Sequence, residues 1–381
     1  MRKIAALAAL SLMGLSAACS GGATTAATDV TVDVTTEAPD TTVPDTVTTA
    51  PETTAAPAAA WEEVEAPSNC MCSGGEPFRF YVRPADPTKV VFFLEGGGAC
   101  FSADTCAPDS NTFKRTAQLP DELAAGTGTG IWDDTNPANP FRGWSVVYVP
   151  YCTGDVHIGN ATTDYGNGVV IQHKGYLNAN AALTEMTRRF PAASQLVVTG
   201  ESAGSVPSPL YAGLAADSYP DARITVLADG SGAYPDIPGI NSVIGTYWGT
   251  MDAVPDWPEN AGVTLETWSL PGLFVRAAAH APRIVFARHD FAFDKTQVFF
   301  AGLAGIPADE LVRLIDQNET EIEADGTALW SFISPGDEHT ILHRADFYTH
   351  EVNGVLLVDW VTALVAGETV DDVHCTDCTV G

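Results

Sequence analysis

Between Gln195 and Pro209 the chain reads Gln-Leu-Val-Val-Thr-Gly-Glu-Ser-Ala-Gly-Ser-Val-Pro-Ser-Pro. The stretch from Leu196 to Thr199 is apolar and β-branched, as a buried strand requires. It stops at Gly200, turns through Glu201, Ser202 and Ala203, and leaves through Gly204. Leu210, Tyr211, Leu214 and Ala215 then recur at helical spacing. Strand, Gly-x-Ser-x-Gly and helix together are the setting of a nucleophile elbow. Its glycines let two chain segments pass closely, its serine is lifted out of the turn, and a helix N-terminus is expected to face the serine oxygen.

A serine hydroxyl is a poor nucleophile at neutral pH, so the elbow makes demands on the rest of the chain. An imidazole must take the proton, a carboxylate must hold that imidazole, and amide donors must meet the developing oxyanion. On this fold the order is serine, then acid, then histidine. After Ser202 come His280, His289, His339, His343, His350 and His374, and order alone selects none of them. His339 stands in a polar loop, Ser-Pro-Gly-Asp-Glu-His-Thr from Ser334, suited to carrying a working side chain. Asp229 and Asp290 each follow a strand-like run and compete for the role of acid. One donor comes naturally from Ala203, after the serine, and a second from the glycines that follow Leu94.

The surrounding pattern fits that fold. Strand-like runs cover 78–83, 89–94, 145–151, 223–228 and 283–288, the last ending near His289 and Asp290. Helical stretches cover 177–189 and 308–317. Short apolar strands that end in Gly, Asp or Ser and alternate with helices imply an α/β fold with a mostly parallel central sheet flanked by helices. Active residues are then expected beyond the strand C-termini. About 320 residues from Trp61 to Gly381 suffice for one such domain, 61–381. The net charge of −30 argues against nucleic acid and against an anionic membrane surface as partner.

Arg2 and Lys3, an apolar run to Leu15 and then Ser-Ala-Ala-Cys19 read as a signal peptide over 1–19. Its end resembles a bacterial lipoprotein signal with Cys19 as the lipidated residue. Residues 20–60 are rich in Thr, Ala, Pro and acidic residues, the composition of a disordered tether. An exported protein is expected to use its cysteines as disulfides. Cys100 and Cys106 form the easiest pair, Cys152 should reach Cys70 or Cys72, and Cys375 with Cys378 reads as a disulfide or loose tail rather than a zinc site. No cofactor and no metal are called for. Asp155 and His157 lack a third nearby ligand, and Trp132, Trp144 and Trp248 read as core aromatics.

Leu94-Glu-Gly-Gly-Gly-Ala-Cys100 with Cys106, Tyr151-Cys-Thr-Gly-Asp155 and Gly200-Glu-Ser-Ala-Gly204 together resemble the pectin acetylesterase and Notum family of serine carboxylesterases. The likeness extends from about Cys70 to His339. It implies an α/β-hydrolase-like fold and hydrolysis of carboxylic esters outside the cell. It also implies an acid at Asp294, in Phe-Asp-Lys-Thr-Gln297, and a base at His339, followed by Thr-Ile-Leu. The resemblance places the oxyanion donors at Gly97 and Gly98 beside Ala203. Tyr151, Thr153 and Asp155 are expected to line the pocket as substrate contacts. The expectation is thus a catalytic set of Ser202, Asp294 and His339 in a monomer held to a membrane only through a lipid anchor. The substrate would be an acetylated polysaccharide first and a longer-chain acyl ester second; a non-catalytic surface binding protein is the rival class.

Overall fold

The apolar runs assemble into one nine-stranded sheet. In chain order its strands are β1 (Glu62–Glu65), β2 (Arg79–Arg83), β3 (Asp86–Leu94), β4 (Trp144–Val149) and β5 (Gln195–Glu201). They continue with β6 (Arg223–Asp229), β7 (Val285–Phe291), β8 (Leu329–Ser334) and β9 (Val373–His374). The spatial order is β1-β2-β4-β3-β5-β6-β7-β8-β9. Only the β1–β2 and β2–β4 pairings are antiparallel; every other is parallel. The computed structural model describes residues 60–376 and residue 378. The expected signal peptide with Cys19, and nearly all of the expected tether, lie outside the described residues.

Parallel strands are buried on both faces, which is why these read as unbroken apolar runs. In β3, Val90, Phe92 and Leu94 enter one core while Val91 and Phe93 enter the other. On the first face lie α1 (Gly175–Arg189), α2 (Ser208–Ser218) and α4 (Pro271–His280); between the last two comes α3 (Pro238–Trp248). The opposite face is packed by α5 (Lys295–Leu303), α6 (Leu311–Glu323) and α7 (Leu357–Ala366). A third cluster, joining Tyr151, Val206, Ile244 and Trp248, sits beyond the strand ends. Among the described residues no helix is long and apolar enough to cross a membrane.

Several boundaries differ from the sequence reading, each for a local reason. Strand β4 ends at Val149 because Pro150 has no N–H to continue a ladder. His289 and Asp290 lie inside β7, fully buried: both His289 nitrogens have side-chain partners, and Asp290 Oδ1 accepts from Gly232 N–H and the Gln297 side chain. The stretch 308–317 begins as a single turn, Ala308–Glu310, and becomes α6 only at Leu311. The helix after the elbow also starts late. Ser202–Gly204 forms a tight turn, and α2 begins at Ser208 with Pro207 as its cap, so no α-helix N-terminus abuts Ser202.

Among the described residues three disulfides form: Cys72–Cys152, Cys100–Cys106 and Cys375–Cys378. The choice between Cys70 and Cys72 falls to Cys72. Cys70 is a buried free thiol, and burial pushes its pKa up to about 11.

Candidate active site

Ser202 stands at the C-terminal end of β5, between β3 and β6, with φ of 53°. A non-glycine residue in the left-handed region stores strain of about 1–3 kcal/mol, and such strain concentrates at working sites. The neighbours impose it. A Cβ on Gly204 would lie 2.0 Å from the carbonyl oxygen of Leu94 at the end of β3, so glycine is required for the chain to pass. Ser205 closes the turn by donating its hydroxyl to the Ser202 carbonyl at 2.7 Å.

Beyond β3 the glycine run folds back against 112–114. Ala99 N–H donates to the Thr112 carbonyl and Lys114 N–H to the Gly97 carbonyl. The N–H groups of Gly97 and Gly98 donate to no protein acceptor among the described residues. Gly98 adopts φ of 75°, which suits glycine. Behind the run lies Glu95, which burial pushes above the usual carboxylate range while Lys114 opposes that shift. Glu95 accepts from Lys114 Nζ at 2.6 Å and from the Tyr151 N–H at 2.8 Å.

Asp294 and His339 meet. His339 Nδ1 lies 2.6 Å from Asp294 Oδ2, and Asp294 also accepts from the N–H groups of Thr296 and Gln297 and from the Gln297 side chain. A carboxylate can only accept, so Nδ1 carries the proton and Nε2 offers a lone pair. That Nε2 is buried and has no hydrogen-bond partner. Burial alone would favour the neutral ring. The hydrogen bond and charge of Asp294, with the charges of Asp229 and Glu201, outweigh it and raise the His339 pKa above its ordinary value. Through linkage, the stability this gives is fully present below the unfolded pKa and is lost as pH rises through the folded one.

The two rival carboxylates are engaged elsewhere. Asp229 accepts from His289 and from two loop amides, and Asp290 accepts from Gly232 N–H and the Gln297 side chain. His343 is carried on the loop of His339, and its Nδ1 pairs with Glu201 Oε2 at 2.6 Å, beside the serine.

Next to Ser202 opens a cavity of about 230 Å³. Its wall is almost wholly apolar, with Phe101, Val206, Ile240, Ile244, Trp248 and Phe300 prominent; Ser202, Tyr234 and Asn241 supply its polar side chains. Gly98 and Ala203 reach this wall. Tyr151, Thr153 and Asp155, expected there, do not. All three are buried behind the glycine run, where Thr153 donates to Asp155 and Asp155 accepts from the N–H groups of Gly175 and His157. His157 turns its Nε2 to the Glu95 carbonyl at 2.8 Å, a loop hydrogen bond of the kind expected. Trp132 and Trp144 pack in the core, as expected. Trp248 is likewise buried, in the third cluster; it also borders the cavity and donates its indole N–H to the Cys100 carbonyl. Sequence reasoning missed most of the cavity wall. Its only signal was the density of apolar residues in α3 and α5, which a buried helix shares.

The family model for pectinacetylesterase matches residues 58–250. The chain belongs to the pectinacetylesterase family. Its relatives include the human palmitoleoyl-protein carboxylesterase NOTUM, 29% identical over 171 residues, 42% of this chain and 34% of that protein. Pectin acetylesterase 5 of Arabidopsis thaliana is 27% identical over 149 residues, 39% of this chain and 34% of its own. The inactive palmitoleoyl-protein carboxylesterase notum1b of Danio rerio is 32% identical over 114 residues, 29% of this chain and 78% of that protein. The chain thus spans about a third of the length of the human and Arabidopsis relatives. The pectinacetylesterase match holds Ser202 and the glycine run and stops before Asp294 and His339.

Proposed function

We propose that the protein is a serine carboxylester hydrolase whose substrate carries an apolar acyl chain longer than acetyl. One relative bears the name of an inactive protein, so family membership by itself does not imply turnover. The observation that carries the reading is the placement of Ser202, strained on its turn, at the wall of an apolar cavity. An imidazole held by a carboxylate, with its other nitrogen buried and unpartnered, supplies the base.

In the reaction, Ser202 Oγ attacks the acyl carbonyl carbon while His339 Nε2 takes the hydroxyl proton. The N–H groups of Gly97, Gly98 and Ala203 hold the oxyanion. On collapse, the alcohol leaves with the proton from His339. Water, deprotonated by the same nitrogen, attacks the acyl-serine, and the acid departs as Ser202 recovers its proton. Three disulfides favour an oxidising compartment outside the cytosol.

The resemblance in the sequence places acetyl first and a longer acyl chain second; the apolar cavity supports the longer chain. An acetyl methyl would leave most of a 230 Å³ apolar space unused. Each methylene buried there is worth about 0.8 kcal/mol, or about fourfold in kcat/KM. A series of p-nitrophenyl esters from acetate to decanoate tests this on the purified protein. The expected result is kcat/KM rising with chain length until the cavity is full, and loss of turnover in Ser202→Ala. Equal rates for Ser202→Ala and the parent would reject the serine mechanism in favour of a binding protein. A maximum at acetate would return the reading to polysaccharide deacetylation.

A further inference from the structure

Away from the serine, the ends of β6, β7 and β8 hold a second, buried array of the same residue types. His289 Nδ1 lies 2.8 Å from Asp229 Oδ1, and its Nε2 lies 2.9 Å from Ser334 Oγ. Asp229, His289 and Ser334 are each 0% exposed, and none of them lines the cavity, so no substrate reaches them. Ser334 Oγ also meets His350 Nε2 at 2.8 Å. The proton directions follow from the donor inventory. Asp229 can only accept, so His289 Nδ1 donates to it. With the His289 ring neutral, its Nε2 accepts from the Ser334 hydroxyl, and Ser334 accepts from His350 Nε2–H. Every bond in the array points towards Asp229.

The other oxygen of Asp229 faces the His339 loop. Oδ2 accepts from Ile341 N–H at 2.8 Å and from Leu342 N–H at 2.9 Å. Between these amides and His339 stands Thr340, with φ of 59°, a conformation a β-branched residue keeps only when its surroundings enforce it. The next residue after Asp229 completes the seat. A Cβ on Gly230 would lie 2.8 Å from Thr340 Cγ2 and 3.3 Å from His339 Cε1, so the ring rests against that bare backbone.

The geometry points to Asp229 as a positioning residue, held by the His289–Ser334–His350 array, that locks residues 340–342 and so fixes the His339 ring against Asp294. The inference rests on the ester-hydrolase reading for its kinetic consequence and on the hydrogen bonds alone for its structural one.

The test combines turnover with a proton resonance. In protein labelled with 15N-histidine, the short His339 Nδ1–H···Asp294 bond should give a far-downfield signal, assigned by its loss in His339→Ala. Asp229→Ala should shift or broaden that signal and lower kcat about 10- to 100-fold with KM little changed, the range for losing an orienting partner. Asp229→Asn keeps one oxygen for the loop amides and should fall between. Negative charges facing His339 come from Asp294, Asp229 and Glu201, with His343 beside Glu201. Both substitutions should therefore also move the acid limb of kcat/KM to lower pH. A folded Asp229→Ala with parental kcat and an unmoved resonance overturns the inference. If the Asp229 variants fail to fold, Ser334→Ala cuts the array at its far side, with the same signal and kcat expected to move by a smaller amount. No change in either would again overturn it. Full turnover in Ser202→Ala would sink the hydrolase reading instead, while the resonance still judges the positioning.

Discussion

The proposed catalytic site joins two regions held in different ways. The nucleophile side, inside 58–250, is set by backbone: glycines that admit no Cβ, a positive φ at Ser202, and the Cys72–Cys152 and Cys100–Cys106 bridges. The acid and base side, beyond 250, is set by carboxylates that accept from amides. Asp294 holds Thr296 and Gln297, and Asp229 reaches across from β6 to hold Ile341 and Leu342. Backbone constraint leaves a motif of small residues that a family model can match. Carboxylate constraint leaves isolated acids whose decisive partners lie far along the chain, His339 for Asp294 and the amides of Ile341 and Leu342 for Asp229. The lesson is that the detectable half of this site is the sterically constrained half.

The sharpest way to break the comparison is at Asp294. Asp294→Asn should keep the bonds from Thr296 and Gln297 in its oxygen but lose control of the His339 tautomer. We expect kcat for an ester substrate to fall by about 10³- to 10⁴-fold with the fold intact by circular dichroism. A variant within tenfold of the parent would move the acid elsewhere, and Asp229→Asn would be the next comparison.

Removing the bridge on the other side should cost stability instead. Cys72 and Cys152 are 80 residues apart, and the double alanine variant should lose about 2–5 kcal/mol in denaturant unfolding. Its kcat well below the transition should stay near the parental value, because no bond from these cysteines reaches Ser202. A variant of unchanged stability would show that the glycine turn holds itself.

A smaller effect belongs to the acyl cavity. Ile240 borders it from α3, and Ile240→Trp should fill part of the space. The expected outcome is a fall of about tenfold in kcat/KM for decanoate with acetate nearly unaffected, roughly the worth of two buried methylenes. Equal losses for both esters would place the acyl chain elsewhere.

How much of this could be read from residues alone follows the same division. Strands β3 to β7 were visible because burial on both faces writes a continuous apolar run. The elbow was visible because sterics dictate its glycines. Nothing in spacing separates Asp294 from Asp229 and Asp290. All three are fully buried at or just past strand ends, and only their partners distinguish them. Tyr151, Thr153 and Asp155 follow a strand as pocket residues do. Yet Thr153 and Asp155 satisfy each other, and the Tyr151 hydroxyl accepts from the Val156 N–H, so the segment turns inward. The array through His289 left no trace, since a polar His-Asp pair inside a strand reads as the strand's end.

The least perturbing substitution probes where the two regions touch. Glu201 belongs to the elbow, and its charge helps to raise the pKa of His339 from the far side of the site. In the proposed mechanism the base works as the neutral ring, so kcat/KM should rise as pH climbs through the His339 pKa, with its midpoint above the ordinary histidine value of about 6.5. Glu201→Gln removes one negative charge, makes the imidazolium easier to deprotonate, and should slide the acid limb to lower pH while the plateau barely changes. Because His343 pairs with Glu201 and carries its own raised pKa through that hydrogen bond, His343→Gln serves as the control. It leaves the Glu201 charge in place and removes a competing positive one, so the limb should move the other way. Shifts of the same sign in both variants would mean that Glu201 acts on His339 by moving the loop rather than through its charge.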